Sequence, residues 1–311
     1  MKTGFGVPAP ALFLVLCSWP APAQPAARQE IFDVHLHAHR AETFLKAVTA
    51  SFAPLRRTAV TNITDPEILL QKTVDSMDRN NVQRGLLSGD NDVVQSWARA
   101  FPDRLLPSFT PDLAAKDHAA AARQFDKEAE QGKWKALGEV GLAFAGLSLN
   151  DPSLFPYYEV CERRGLPVFF HAGLSGPDPQ RTLSARFLVE FGNPLLLQDI
   201  VIRFPKLRIV ITHMGWPYAD QALYMLYAYP NVYLDTGLVN WTLAPGLFRR
   251  ILSEAVETAG SQRILFGSDQ MAWPEMITSA AQAITGADYL SEADKRRILW
   301  DNAVDLLRGK P

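Results

Sequence analysis

Residues 31–40 read IFDVHLHAHR, an alternating run of strand type whose polar positions include His35, His37 and His39, three of the six histidines in the chain. Residues two apart in a strand share a face, so His35 and His37 point the same way. Four more groups of metal-ligating type sit in or at the end of apolar runs: Glu139 in LGEVGL, His171 in FFHAG, His213 in ITHMG and Asp269 in FGSD. A carboxylate or imidazole in a dry strand costs several kcal/mol unless something pairs it. One divalent cation satisfies such a cluster at once. Imidazole with carboxylate suits zinc, manganese, iron or nickel, and the lack of thiolate partners argues against a closed structural zinc site.

These groups meet only if the chain returns each of them to one place. Short apolar runs recur at residues 31–38, 82–89, 104–110, 136–142, 166–173, 207–215, 231–237 and 263–269. Amphipathic segments separate them: residues 65–80, with Thr64 or Asp65 as the cap, 117–132, which stops on Gly132, 193–205 and 244–260. Near-continuous apolar strands alternating with helices mean a parallel sheet with a covered outer face. Eight such units predict an α/β chain folded as a (β/α)8 TIM barrel, whose usual size is ~250 residues. An open doubly wound sheet is the competing architecture. In a barrel the strand ends converge on the C-terminal mouth, which is where the unusual residues fall. The long connections 40–63 and 174–192 then lie over that mouth as lid or specificity segments.

The 31 basic and 33 acidic residues leave a net charge of −2 with no basic run, so nucleic acid is not an expected partner. A small-molecule substrate is, and a homo-oligomer is left open. The first residues differ in character. Lys2, the apolar segment 11–17 and Ala21-Pro22-Ala23 form the pattern of a cleavable secretory signal. That apolar segment is far short of the ~20 residues that span a bilayer, so no stable membrane span is expected. The expected division is a signal over residues 1–23 and one barrel domain over 24–311, exported to the periplasm. Of the two cysteines only Cys161 survives cleavage, so no internal disulfide forms; its helical context makes it a packing residue.

Asp33-Val34-His35-Leu36-His37, the His171-Ala172-Gly173 and His213-Met214-Gly215 tripeptides and Gly267-Ser268-Asp269 together resemble the amidohydrolase superfamily, specifically its amidohydrolase-related branch of hydrolases and non-oxidative decarboxylases. The resemblance runs from about residue 31 to 302. It implies His35, His37 and His171 as metal ligands, and Asp269 as a ligand that also takes a proton. His213 would bind a second metal or polarise the substrate. Glu139 occupies the fourth-strand position and resembles the glutamates that bridge two ions in some members, so one-metal and two-metal sites both stay open. His39, past the strand, and Asp33 are expected to support the ligands rather than bind the ion.

Such a site predicts a metal-dependent hydrolase, with zinc as the expected ion. Water on a divalent ion ionises near pH ~7. Asp269 would accept its proton and His213 would help polarise an amide, lactone or ester carbonyl. The alternative is a lyase that removes the carboxylate of an aromatic acid, Asp269 protonating the ring carbon. A non-catalytic exported binding protein is the third reading. Trp216, Tyr218, Trp241, Trp273 and Met271 are candidate pocket walls for a cyclic substrate, and Arg40, Arg56 and Arg57 candidate partners for its anionic group.

Overall fold

The computed structural model describes residue 1 and residues 28–40, 48, 63 and 65–308. The expected export signal lies outside the described residues apart from residue 1, as does most of the first long connection with Arg56 and Arg57. Eight parallel strands pair in sequence order: β1 Ile31–Ala38, β2 Val82–Gly89, β3 Leu105–Phe109, β4 Ala136–Val140, β5 Val168–Phe170, β6 Ile209–Ile211, β7 Val232–Asp235 and β8 Ile264–Leu265. The ring closes where Val34 N–H donates to Phe266 O at 2.9 Å and Asp269 N–H donates to His35 O at 2.8 Å. Closure rules out the open doubly wound sheet and establishes a single-domain (β/α)8 barrel.

Helices follow the strands in turn: α1 Pro66–Arg79, α2 Asn91–Ala100, α3 His118–Glu130, α4 Phe155–Arg164, α5 Gln198–Arg203, α6 Ala219–Ala228, α7 Pro245–Ala259 and α8 Met276–Thr285. Their ends obey local chemistry. Asp65 caps α1 by accepting from the Glu67 and Ile68 amides at 2.9 and 3.0 Å, and Asp117 caps α3 through the Ala120 amide at 2.8 Å. Cys161 is buried on α4 and free, and its burial pushes the thiol pKa up, as a packing residue requires. No helix among the described residues is long and apolar enough to cross a membrane.

Two apolar layers hold the barrel. The outer one packs strand residues such as Leu36, Leu87, Leu137, Phe170 and Ile211 against the helices. The inner one takes Phe32, Val34, Leu86, Ala136, Phe169, Val210 and Leu265 from the strands. Ala303, Val304 and Leu306 of a last helix, α9 Asn302–Leu307, join that inner layer and stopper the N-terminal end of the barrel. Arg208 secures the stopper, its guanidinium donating to Leu306 O on α9 and to Gly165 O at the end of α4.

β3 to β8 end before their apolar runs do, and β1 and β4 are irregular inside. In β1, Phe32 and Val34 face inward but Leu36 and Ala38 face outward, because the register shifts between Asp33 and Leu36. In β4, Ala136 faces inward and both Leu137 and Val140 face outward, with a shift between Leu137 and Val140. Each bulge reverses the side-chain parity of the residues after it.

Candidate metal centre

The two bulges bring the in-strand candidates into the barrel. Strict alternation from Phe32 and Val34 would carry His35 and His37 against the helices; the bulge places them inside. Asp33 supports it, its Oδ1 accepting the His35 amide at 3.0 Å and the Ser268 amide at 2.9 Å. Burial nevertheless pushes the Asp33 carboxyl up to about 7. Gly138 does the same for Glu139: its φ is +114°, and a Cβ there would sit 2.4 Å from Phe169 O. The other candidates lie past strand ends. His171 follows β5 directly, whereas His213 and Asp269 adopt φ of +56° and +50°, conformations that cost non-glycine residues free energy and are kept where function needs them.

Glu139 is the centre of the arrangement. Its Oε2 lies 3.3 Å from His35 Nε2 and 3.8 Å from His37 Nε2; its Oε1 lies 3.1 Å from both His171 Nδ1 and His213 Nε2. Thr212 Oγ1 donates to the same Oε1 at 2.7 Å. Asp269 Oδ1 stands 3.0 Å from His37 Nε2, and Oδ2 3.8 Å from His213 Nδ1. All six candidate ligands, His35, His37, Glu139, His171, His213 and Asp269, therefore converge.

Electrostatics suit a cation. Burial opposes charge on His35, yet Glu139, Asp269 and Asp235 outweigh it and raise the imidazole well above its ordinary value. His171 is raised in the same way, chiefly by Glu139 against its burial. Burial works against the carboxylates too, but the facing imidazoles win: Glu139 falls well below its usual range and Asp269 to about 2. The carboxylates are thus in the ligating form at neutral pH. Imidazole nitrogens also face each other, His35 Nε2 and His37 Nε2 at 3.2 Å, His171 Nδ1 and His213 Nε2 at 3.1 Å. Two lone pairs at that distance repel unless a proton or a metal ion lies between them. The groups His35–His37–Glu139 and Glu139–His171–His213 each bring their ligand atoms within 4.8 Å of one another. The donor set, imidazole and carboxylate without thiolate, fits a divalent ion.

Supporting residues escape a reading by residue type. Asp235, at the end of β7, is fully buried with Oδ2 2.5 Å from His35 Nδ1. Gln270 exchanges hydrogen bonds with the backbone of His37, both at 3.0 Å, tying β1 to the β8 exit. The signal for Asp235 was a buried-type strand, VYLD, ending in an acid. His39 lies beside the candidate ligand His37, with Nε2 3.1 Å from His37 Nδ1 and Nδ1 3.4 Å from Asp90 Oδ2.

A cavity of about 480 Å3 opens above the cluster, lined among others by His37, Glu139, His171, Asp269, Phe144 and Met271. Met271 lines it as expected; the four aromatic candidates do not. Trp241 and Trp273 are buried, packed edge to face at 6.1 Å, with Trp241 Nε1 donating to Ser268 O at 2.7 Å. Trp216 and Tyr218 are likewise absent from the lining, and the ring that is present is Phe144, whose centroid lies 4.8 Å from that of His171. Arg40 is exposed and paired with Asp92, so it is occupied at the surface.

Comparison with known proteins bears on the chemistry. The chain is 24% identical over 288 residues to the gamma-resorcylate decarboxylase of Polaromonas sp. strain JS666, covering 77% of this chain and 80% of that protein. It is 31% identical over 134 residues to protein fluG of Emericella nidulans, which covers 41% of this chain but only 15% of that protein's length. The crystal structure of a dihydroxybenzoic acid decarboxylase from Polaromonas sp. JS666, with bound manganese and the inhibitor 2-nitroresorcinol, shares the fold with a TM-score of 0.63 at 17% identity, over 90% of this chain and 97% of that one. The alignment with a decarboxylase over 77% of the chain overturns the expectation of a hydrolase. Both chemistries use a divalent ion, imidazoles and an acid, so residue types alone did not separate them. Zinc is not singled out either. The amidohydrolase family model matches residues 32–309, and the chain belongs to that family.

Proposed function

We propose that the protein is a metal-dependent, non-oxidative decarboxylase of a small aromatic acid. The observation that carries this reading is the alignment with a decarboxylase across most of the chain, in a barrel whose acid–imidazole cluster floors a cavity of about 480 Å3. Phe144, Leu174, Leu238 and Met271 give that cavity apolar walls suited to a flat ring.

His35, His37, Glu139, His171, His213 and Asp269 would hold the ion. The two oxygens of Glu139 face different histidine pairs, a donor set that would serve two ions rather than one. Manganese and zinc both suit these donors. Such an ion, when bound, would supply positive charge that offsets the negative charge of the substrate's carboxylate. Asp269 handles the proton. It lines the cavity, and its Oδ1 stands 3.0 Å from His37 Nε2. Held low by the imidazoles, it is a carboxylate at rest; an incoming anionic substrate raises its affinity for a proton. Protonated, Asp269 delivers that proton to the ring carbon bearing the carboxylate. The carbon–carbon bond then breaks, its electron pair restores the aromatic ring, and CO2 leaves. One proton is consumed per CO2 released. His213 is kept from swinging by its Nδ1–H, which donates to Gly237 O at 3.1 Å.

The test is incubation of metal-loaded protein with a panel of ortho-hydroxybenzoic acids in D2O. CO2 release with one deuterium at the vacated ring carbon is the expected result. No CO2 from any member, with manganese or with zinc, overturns the reading.

We also propose that residues 1–23 direct export and that the barrel domain, 24–311, acts in the periplasm; Lys2, the apolar segment 11–17 and Ala21-Pro22-Ala23 support this. N-terminal sequencing of the protein recovered from a Gram-negative periplasm should begin near Gln24. An intact Met1 on cytosolic protein would refute it.

A further inference from the structure

β7, which supplies none of the six candidate ligands, ends on an acid that reaches the site: Asp235. Asp235 is fully buried, and its two oxygens have separate duties. Oδ2 faces His35 Nδ1 at 2.5 Å, and Oδ1 accepts the Gly237 amide at 2.8 Å. Gly237 turns its carbonyl to the other side, where it accepts from His213 Nδ1 at 3.1 Å. A carbonyl oxygen can only accept, so the proton of His213 sits on Nδ1. A carboxylate likewise only accepts, so His35 also carries its proton on Nδ1. Both imidazoles are therefore left with Nε2 turned to opposite oxygens of Glu139, at 3.3 and 3.1 Å.

The packing leaves no room for another arrangement. A Cβ on Gly237 would sit 2.8 Å from His35 Nδ1, and one on Gly267 would sit 2.1 Å from Asp235 Oδ1. The turn after β7 and the exit of β8 thus press against the Asp235–His35 pair from two sides.

We propose that Asp235 is a positioning residue for the metal centre: through His35 directly, and through the Gly237 peptide to His213, it sets the ring orientation and tautomer that leave two Nε2 atoms free to ligate. This rests on the metal-centre part of the proposed function and is independent of the decarboxylation part. Asp235 touches neither cavity nor substrate.

The chemistry makes Asp235→Asn diagnostic. An amide has one accepting oxygen. With that oxygen on the Gly237 amide, its NH2 faces His35 Nδ1 and donates to it, which moves the imidazole proton to Nε2 and blocks ligation. With the amide flipped, NH2 meets N–H at Gly237 and the turn is displaced, taking its hold on His213 with it. Loss of such an outer carboxylate commonly lowers metal affinity by about 10–100-fold.

The experiment measures Zn2+ and Mn2+ affinity of the full chain by chelator competition, for wild type and D235N, alongside the visible spectrum of each Co2+-loaded protein and thermal melting of each metal-free protein. The expected result is a metal-free D235N that melts like wild type, binds about 10–100-fold more weakly and shows an altered Co2+ spectrum. A D235N protein with wild-type affinity and spectrum overturns the proposal while leaving the metal centre intact. A wild type that binds no ion overturns both. Normal metal data without turnover on any acid sinks only the decarboxylase reading. Should D235N not fold, D235S, smaller and uncharged, is measured in the same way, and its affinity and spectrum decide the proposal by the same criteria.

Discussion

Two sets of candidate ligands reach the same point by different backbone devices. Those inside strands, His35, His37 and Glu139, depend on bulges that reverse parity within a hydrogen-bonded ladder. Those beyond strands rely on the chain leaving the ladder, for His213 and Asp269 through left-handed residues. The first device is anchored on both sides by neighbouring strands and leaves little freedom. The second is held by side chains and turn geometry. A bulge therefore confers rigidity, and an exit turn leaves reach toward substrate; the group proposed to move a proton, Asp269, stands on an exit turn.

The largest expected effect tests the exit side. Asp269→Asn should keep the fold and lower turnover by about 10²–10⁴-fold, the usual contribution of a positioned acid or base. Steady-state rates near those of wild type would reassign the proton to another group. Next comes the bulge in β4. Gly138→Ala places a methyl group against Phe169 O at a φ of +114°, and we expect a stability loss of about 3 kcal/mol with loss of bound metal. Chemical denaturation with metal analysis reads both, and an unperturbed variant means the bulge is not what aims Glu139. Glu139→Gln is smaller in stability and should reduce bound metal from about two ions to about one per chain, seen by elemental analysis. The smallest effect is that of Asp33→Asn in the bulge of β1, set against Asp33→Ala. Asp33→Ala leaves the His35 and Ser268 amides without their acceptor, a loss of about 2–4 kcal/mol, whereas Asp33→Asn keeps an accepting oxygen and should lie within about 1 kcal/mol of wild type. Equal losses for the two would show that charge, not the acceptor, is what β1 requires.

Most of the barrel was legible because each strand and helix announces itself locally. Asp65 and Asp117 cap the helices they precede, and the run 31–38 is a strand over its full length. The six candidate ligands were legible for the related reason that polar groups in apolar strands are expensive. Parity was not. His35 and His37 share a face in any strand, but which face depends on a register shift that alternation alone does not encode. Asp235 carried a signal, an acid ending an apolar strand, but its meaning comes from His35, two hundred residues away in sequence. Trp241 and Trp273 misled because large aromatics past strand ends serve loop packing as readily as substrate binding, and here they are buried in the outer layer. The choice between hydrolysis and decarboxylation was beyond residue types, since it turns on which bond the substrate presents to a common set of donors.

The stoppered end of the barrel has a bearing on turnover. With Phe32, Trp300, Leu306 and their neighbours filling the base, the cavity opens at the opposite rim. Under the proposed decarboxylation, the acid would enter and both CO2 and the arene would leave by that one doorway. Dissolved CO2 or excess arene at the rim would then compete with the next arrival, so product inhibition is where the kinetics of the proposed reaction should first depart from simple saturation.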